Sequence, residues 1–261
     1  MERFAFGRNW LNYFDRLTEL DRANIQARIA ATERELQEKL QGSLSGKRFL
    51  DVGCGSGLMS LAAQNLGARV HSFDYDPQSV QCTHQMREKF GRPTNWDVEQ
   101  GSALDPVYLT RLGTFDVVYS WGVLHHTGDM WQALKNLIPL VAPGGQLFIA
   151  LYNDQGWRSR YWTFIKRHYN ASSVARKLII LFHLPLLLAR YVGRALTGRL
   201  TLERGMLLWS DYLDWLGGYP FEVATHDQVV AYFRDAGFSL TKSTRATSGC
   251  NEFVFARNDA R

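Results

Sequence analysis

From Arg48 onward, short apolar runs alternate with longer amphipathic stretches along the chain. Short runs bounded by turn residues predict buried strands, and the amphipathic stretches between them predict helices. The predicted strands lie at residues 48–53, 69–74, 94–101, 115–120, 146–152, 238–241 and 252–256. The predicted helices lie at residues 56–66, from Asp76 onward, 130–140 and 227–236. Strands joined by helices pair in parallel through crossovers, so we expect an α/β, doubly wound, mostly parallel seven-stranded sheet closed by an antiparallel hairpin after Gly237.

Two segments lie outside this alternation. Residues 9–40 have helical spacing of apolar positions and predict one or two helices. About seventy residues separate the fifth strand from the next helix, far more than the ~2–6 of an ordinary connection. We therefore expect four parts: an N-terminal helical cap, a core, a basic helical lid insertion, and a helix and strands that complete the core, at residues 1–46, 47–152, 153–222 and 223–261.

Composition narrows the class of protein. Of 261 residues, 46% are hydrophobic and 21% are charged, which excludes a disordered chain. The three cysteines are too few for a disulfide framework, and no two have the spacing of metal ligands, so we expect a reducing compartment and no metal. The first residues include an acid and no long apolar run, which disfavours a signal peptide and favours a cytoplasmic location.

Charge is distributed unevenly along the chain. Residues 153–204 contain ten Lys and Arg and two acids, a local net charge of +8 in a chain whose net charge is +5. The rest of the chain is therefore mildly acidic, at −3. A basic segment of this kind points to an anionic partner.

A glycine loop follows the first predicted strand, with the sequence Asp51-Val52-Gly53-Cys54-Gly55-Ser56-Gly57. Glycines allow positive φ and a close approach of the backbone to a ligand. Leu58 replaces the last glycine of a dinucleotide fingerprint, and the Gly-Lys-Ser/Thr of a phosphate loop is missing, so a ligand without pyrophosphate is favoured. Asp74 ends the second strand, where a carboxylate can accept hydrogen bonds from both hydroxyls of a ribose.

The residues from Phe49 to Gly57 resemble the first motif of class I S-adenosylmethionine-dependent methyltransferases, which have a Rossmann-like fold. Residues 101–105, 115–118 and 141–145 are similar to later motifs of the same family. Within the family, the chain is most similar to the ubiquinone-biosynthesis O-methyltransferases and related small-molecule enzymes. The resemblance implies S-adenosylmethionine as cofactor and S-adenosylhomocysteine as product.

The resemblance also implies which residues bind the cofactor. Gly53 and Gly55 would face its methionine part and Asp74 its ribose, and Tyr75 would flank the adenine. Ser102 stands where family members often have an aspartate, and a serine accepts a hydrogen bond more weakly. The complete set of expected cofactor-binding residues is Asp51, Gly53, Gly55, Gly57, Asp74, Tyr75, Ser102, Ala103, Ser120 and Trp121.

A pair of histidines, His125 and His126, follows the fourth predicted strand. A hydroxyl acceptor needs a base that titrates near neutrality, and histidine does so without a large pKa shift. The resemblance implies His126 as the base, with His125 as second candidate or orienting partner. The alternative is a loop histidine bonded to the backbone. The Asn/Asp-Pro-Pro-aromatic motif of amino-methylating enzymes is missing, which disfavours that class of acceptor.

The basic insertion contains an apolar run at residues 178–189 that is too short for the ~20 residues of a membrane-spanning helix. The resemblance implies that the insertion forms a lid over the acceptor pocket, since insertions in this fold usually do. A sharper hypothesis is that it contacts an anionic membrane surface. Anionic small substrates or RNA are the third possibility, and RNA is disfavoured because no RNA-binding module is evident. Aromatic residues at Phe4, Phe6, Trp10, Tyr13 and in residues 214–222 could line the acceptor pocket, although aromatic density more often indicates a core or dimer contact, and none of them is predicted as catalytic.

The sequence thus predicts methyl transfer to a hydroxyl of a small, aromatic or quinol-like acceptor. Methylation of a carbon, nitrogen or sulfur atom, of a lipid or of a macromolecule stays open as an alternative. So does a catalytically silent cofactor-binding subunit. The sequence does not fix the oligomeric state.

Overall fold

The computed structural model describes residues 7, 10, 22–91, 93–196 and 208–259. These residues divide into two units. The core unit comprises Gly7–Asp154 and Glu222–Arg261, and the insertion unit comprises Gln155–Phe221. The expected helices over residues 9–40 lie partly outside the described residues, as do the aromatic residues Phe4, Phe6 and Tyr13.

The core unit is built on one seven-stranded sheet with the order β3-β2-β1-β4-β5-β7-β6. Its strands are β1 (Arg48–Val52), β2 (Arg69–Asp74), β3 (Trp96–Gln100), β4 (Phe115–Trp121), β5 (Val141–Tyr152), β6 (Phe238–Thr244) and β7 (Cys250–Arg257). The first five strands pair in parallel, and β7 pairs antiparallel with both β5 and β6. The predicted doubly wound sheet with its closing hairpin is confirmed.

Nine helices are described. They are α1 (Arg22–Lys39), α2 (Leu58–Asn65), α3 (Pro77–Lys89), α4 (Pro106–Leu112), α5 (Met130–Leu137), α6 (Trp157–Ala171), α7 (Ser173–Leu196), α8 (Leu208–Gly217) and α9 (His226–Asp235). Helices α6, α7 and α8 belong to the insertion unit, and the others to the core unit.

Alternation along the strands gives the sheet two apolar faces. Leu50 belongs to a buried cluster that also contains Leu134 of α5 and Phe233 of α9. Phe49, the preceding residue, belongs to a second cluster that contains Leu36 of α1 and Leu61 of α2. Successive side chains of a strand point to opposite faces, so β1 is buried on both sides, as a central parallel strand requires.

The structure corrects several predicted boundaries. Strand β5 begins at Val141 rather than residue 146, because Val141 pairs with Phe115 before a register shift brings Gln146 opposite Val117. Helix α5 ends at Leu137 and a 3₁₀ turn continues over Ile138–Leu140, where a proline interrupts the helix. Helix α4 was not predicted, although Asp105 caps it by accepting hydrogen bonds from Val107 and Tyr108 and Pro106 occupies its first turn.

The insertion unit has its own small apolar core. Ile165 and Tyr169 of α6 pack with Leu216 of α8, and Ile179 and Ile180 of α7 pack against them. The Lys166 side chain is buried in this core, donates to the Trp215 carbonyl, and lies 4.3 Å from the centre of the Trp215 ring. The predicted apolar run therefore forms part of the long helix α7, with Pro185 inside it.

None of the described helices combines the length and apolar character needed to cross a membrane. Within the same residues, no group of three or more His, Cys, Asp or Glu side chains is arranged to hold a metal ion.

Candidate active site

The glycine loop brings the end of β1 against two neighbouring segments. The backbone N–H groups of Gly53 and Cys54 donate to the Phe73 carbonyl of β2 at 2.8 and 3.1 Å. Gly53 has φ +81°, and a Cβ there would lie 2.4 Å from the Val123 methyl groups. A side chain at this position would therefore both strain the backbone and displace the segment that follows β4.

Asp74 connects this loop to the end of β2. Its carboxylate accepts hydrogen bonds from the Gly55 N–H at 3.1 Å and from the Asp76 N–H at 2.9 Å. Burial raises the pKa of Asp74 to about 6. A carboxylate oxygen can accept more than one hydrogen bond, so this group keeps the capacity to receive a ribose hydroxyl.

Three further residues stand on the adenine side of the predicted site. Tyr75 follows Asp74 and is 57% exposed. Ser102 closes a turn, because its hydroxyl accepts the Leu104 N–H at 3.2 Å. Ala103 is buried, and its carbonyl accepts a hydrogen bond from Asn136 at 2.9 Å. Together with Asp74 and the glycine loop, they form what we call the donor site.

Two of the expected cofactor-binding side chains make interior contacts. The Asp51 carboxylate is buried and accepts a hydrogen bond from the Ser60 hydroxyl at 2.5 Å, and burial raises its pKa to about 7. Ser120 is also buried and donates to the Val52 carbonyl at 2.9 Å. Both contacts hold the end of β1 and the start of the glycine loop, and a direct role in cofactor binding stays a prediction.

Gly57 and Trp121, also expected to bind the cofactor, have close neighbours of their own. Gly57 has φ +76°, and a Cβ there would lie 3.0 Å from Thr83. The Trp121 indole N–H donates to Glu252 of β7 at 2.9 Å, and the same carboxylate pairs with Lys39 of α1 at 2.5 Å. Glu252 and Lys39 were not predicted, because both are distant from Trp121 in the sequence and no local motif signals the contact.

The two histidines lie in a 3₁₀ turn, Leu124–His126, directly after β4. His125 is fully buried, and its Nδ1 accepts the Tyr152 N–H at 3.3 Å. This bond places the proton of a neutral His125 on Nε2. His126 is half-buried, and its ring centre lies 4.5 Å from that of His125 and 5.5 Å from that of Tyr152.

Glu222 was not predicted as a site residue, yet it holds the histidine turn from two directions. Its backbone N–H donates to the His125 carbonyl at 2.9 Å. Its carboxylate accepts the N–H groups of Gly128 at 3.0 Å and Met130 at 3.1 Å. Burial raises the pKa of Glu222. No sequence signal marks this residue, since almost a hundred positions separate it from the turn that it holds.

The donor site fits the cofactor that the sequence predicts. The glycine loop lets a ligand approach its backbone, the Asp74 carboxylate can accept hydroxyl donors, and Tyr75 supplies an exposed aromatic ring. In this arrangement Asp74 would hold a ribose, and Tyr75 with Ser102 and Ala103 would border an adenine. All belong to the loops at the carboxyl ends of β1, β2 and β3, where doubly wound sheets bind ligands.

Comparisons with known proteins show the family of the chain. The model of the methyltransferase domain family matches residues 22–179. The ubiquinone biosynthesis O-methyltransferase of Xanthomonas euvesicatoria pv. vesicatoria is 32% identical over 110 residues, which cover 42% of this chain and 45% of that protein. Its counterpart in Methylocella silvestris is 34% identical over 110 residues, covering 42% and 41%. The chain thus spans less than half the length of these relatives.

A solved structure extends the likeness to most of the chain. The magnesium protoporphyrin IX methyltransferase of Synechocystis PCC 6803, solved with bound S-adenosylhomocysteine, has a TM-score of 0.54 and 16% identity. The match covers 90% of this chain and 84% of that one. At this identity the likeness shows the fold alone. The family model spans more than half of the chain, and the chain therefore belongs to the methyltransferase domain family.

Proposed function

We propose that the protein transfers a methyl group from S-adenosylmethionine to a hydroxyl of a small, aromatic or quinol-like acceptor, with His126 as general base. The observation that carries the proposal is the different environment of the two histidines after β4. His125 is buried and bonded through Nδ1 to the Tyr152 backbone, whereas His126 is half-buried beside it. This contrast supports His126, the more exposed of the two, as the residue that meets an acceptor.

The proposed roles follow from elementary proton chemistry. When bound, S-adenosylmethionine supplies a methyl group that its positive sulfur already makes electrophilic. The protein must align the acceptor and remove its hydroxyl proton. In this proposal a ring nitrogen of His126 takes that proton, and His125 orients the His126 ring from behind. General-base help of this kind is worth about 10²–10⁴-fold in rate.

The acceptor class rests on the relatives. Both curated relatives are named as O-methyltransferases of ubiquinone biosynthesis, which supports a hydroxyl on a quinol-like ring. Because this chain spans less than half of their length, its own acceptor is a proposal at the level of chemical class. A catechol or hydroquinone panel tests that class.

The acceptor test uses methyl-labelled S-adenosylmethionine, the purified protein and a lysate of its source, and it asks where the label goes. Label in the solvent-extractable fraction, and in a base-stable ether of a phenolic acceptor, is the expected result. Label in acid-precipitable material would instead identify a macromolecular acceptor. Donor binding without any transfer to lysate or panel would favour a catalytically silent subunit.

His126→Ala tests the base. We expect turnover to fall by about 10²–10⁴-fold, because the hydroxyl proton loses its acceptor. Affinity for S-adenosylhomocysteine, measured by calorimetry, should not change. His126→Gln, which keeps hydrogen bonding without the basic nitrogen, should fall as far, and His168→Ala at an exposed position of α6 is the matched control. Full turnover in His126→Gln would exclude a base at this residue.

We also propose that the insertion unit contacts an anionic membrane surface. The cytoplasmic location of the protein stays a prediction. The supporting observation is a stripe of exposed apolar residues on α7, which we call the α7 stripe. Five of its members are separated by three, four or seven residues and are Val174, Leu178, Leu181, Leu188 and Val192, with Phe182 and Leu186 beside them. Phe182 is 76% exposed and Leu181 is 66% exposed.

The charge of the same segment favours anionic lipid over a second copy of the chain or RNA as the partner of the α7 stripe. Residues 155–196 contain eight Lys and Arg and no acid. Basic residues combined with exposed apolar side chains are typical of helices that lie in a membrane interface. Two copies of this face would bring like charges together, and the phosphate backbone of RNA offers nothing to bury the leucines against.

Liposome flotation tests the membrane proposal. The protein should float with vesicles that contain phosphatidylglycerol and stay behind with phosphatidylcholine alone. Leu181→Ser combined with Phe182→Ser should abolish flotation, whereas Val107→Ser, at a 75% exposed position of α4 in the core unit, should not. Equal flotation with both vesicle types would contradict the proposal, and a mass that halves on dilution would identify a second copy as the occupant.

A further inference from the structure

Two described residues near the N-terminus, Gly7 and Trp10, contact the loops of the donor site. The Gly7 N–H donates to the Asp76 carboxylate at 2.9 Å. A Cβ on Gly7 would lie 2.6 Å from that carboxyl group, so no other residue fits without a shift. Asp76 also caps α3 by accepting the Gln78 N–H at 2.9 Å, which fixes the position of its carboxylate.

Trp10 lies against the glycine loop itself. A Cβ built on Gly55 would lie 3.1 Å from the Trp10 indole nitrogen and 3.2 Å from the adjoining ring carbon. The Trp10 carbonyl accepts the Cys82 thiol of α3 at 3.3 Å. The Trp10 side chain is half-buried and packs against the buried cluster beside α2 and α3. The middle glycine of the loop thus makes room for this indole.

These contacts connect both Gly7 and Trp10 to the donor site. Gly7 bonds to Asp76, the Asp76 N–H bonds to Asp74, and the Gly55 N–H bonds to the same Asp74 carboxylate. The Trp10 indole lies against Gly55. Only Gly55 therefore lies between Trp10 and the Asp74 carboxylate that is expected to hold the ribose. A shift of the indole would move the glycine loop that faces the donor.

We infer that Trp10 is a further donor-binding residue, whose indole forms an apolar wall of the donor site beside Gly55. The inference rests on the donor site of the proposed function and not on the acceptor or on His126. Aromatic side chains exclude water from a site and bury a large area at little entropic cost. Gly7 is the positioning residue, because its hydrogen bond to Asp76 anchors the backbone three residues before the indole.

The test measures binding of S-adenosylhomocysteine to the full chain by calorimetry, without any acceptor. Trp10→Ala should raise Kd by about tenfold, and Trp10→Phe, which keeps a smaller ring, should fall between. The matched control is Trp131→Ala, since Trp131 is partly exposed on α5 and its ring centre lies 5.1 Å from that of Tyr232. Quenching of tryptophan fluorescence by the same ligand should occur in the wild type and in Trp131→Ala, and should be strongly reduced in Trp10→Phe.

A structural role alone would give a different pattern. It predicts that the melting temperature of the ligand-free protein falls in the Trp10 variants while Trp10→Phe keeps both the wild-type Kd and the quenching, and this result would overturn the inference. Kd values within twofold of the wild type in both variants would overturn it as well. A wild-type chain that does not bind S-adenosylhomocysteine would overturn the donor site, and the proposed function with it. Loss of turnover in His126→Ala bears on the proposed function only.

Discussion

The two units of the molecule use their side chains in opposite ways. In the core unit, carboxylates accept hydrogen bonds from backbone N–H groups of neighbouring loops, as Asp74 at the end of β2 does from Gly55 and Glu222 does from Gly128 and Met130. In the insertion unit, helix α7 leaves a row of leucines, valines and a phenylalanine exposed, and the residues around it are basic. The first pattern fixes the geometry of a site within the chain, and the second offers a surface to something outside it.

This difference shows where each kind of specificity resides. Hydrogen bonds from backbone N–H groups to half-buried carboxylates are costly to break, so loops that carry them hold one arrangement. Exposed apolar surface is unfavourable in water and becomes favourable only when another surface covers it. We therefore expect substitutions in the core unit to change affinity and turnover, and substitutions on the α7 stripe to change association with membranes while leaving the fold intact.

The largest effect on donor affinity should come from Asp74. Asp74→Ala removes the acceptor of the Gly55 and Asp76 N–H groups and the expected partner of the ribose. Hydrogen bonds to a charged group contribute about 1.5–3 kcal/mol, so donor affinity should fall by roughly 10- to 100-fold. Calorimetry with S-adenosylhomocysteine measures the change, and Asp97→Ala, at an exposed position of the neighbouring strand β3, is the control. Unchanged affinity would remove the ribose assignment.

Glu222 should have the next largest effect, and a different one. Glu222→Ala leaves the N–H groups of Gly128 and Met130 without their carboxylate and loosens the turn that carries His126. Small displacements of a reacting group are costly, so we expect turnover to fall by about tenfold with donor affinity unchanged. Asp235→Ala on the exposed end of α9 is the control. A loss of donor affinity of the same size would mean that the donor site and the turn that carries His126 do not act independently.

The pH dependence of donor binding should be weaker still. The pKa of Asp74 is raised to about 6, and only the ionised carboxylate accepts hydrogen bonds at both oxygens. Affinity should therefore hold above this pKa and weaken below it, by about fourfold at roughly pH 5.5 relative to pH 7.5. Asp74→Asn should bind more weakly and lose this dependence. If the donor affinity of the wild type did not change with pH over the same range, ionisation of Asp74 would not contribute to donor binding.

Local chemistry explains how much of this was predictable from the sequence. The glycine loop, Asp74 and the histidine pair each follow a strand within a few residues, so strand order alone brings them to one edge of the sheet. Glu222 and Glu252 act through contacts with residues 94 and 131 positions away in the sequence, and no local pattern reveals them. Strand β5 begins earlier than expected because its pairing with Phe115 overrides the turn signal of Pro143-Gly144-Gly145.

The smallest expected effect is the change in stability caused by Leu181→Ala. Set beside Leu134→Ala, it gives the sharpest comparison of the two units, because the same residue type is replaced on two helices. Leu134 of α5 is fully buried in the core unit, whereas Leu181 of α7 is 66% exposed. Leu134→Ala should lower the free energy of unfolding by about 2–5 kcal/mol, since it removes buried methyl groups and leaves a cavity. Leu181→Ala should change it by less than about 0.5 kcal/mol, because water already surrounds the side chain and alanine favours a helix as much as leucine does. Denaturant unfolding of both variants measures the difference. A cost above about 1 kcal/mol for Leu181→Ala would mean that the α7 stripe is packed within the chain, and a surface already covered in this way would have nothing left to offer a membrane.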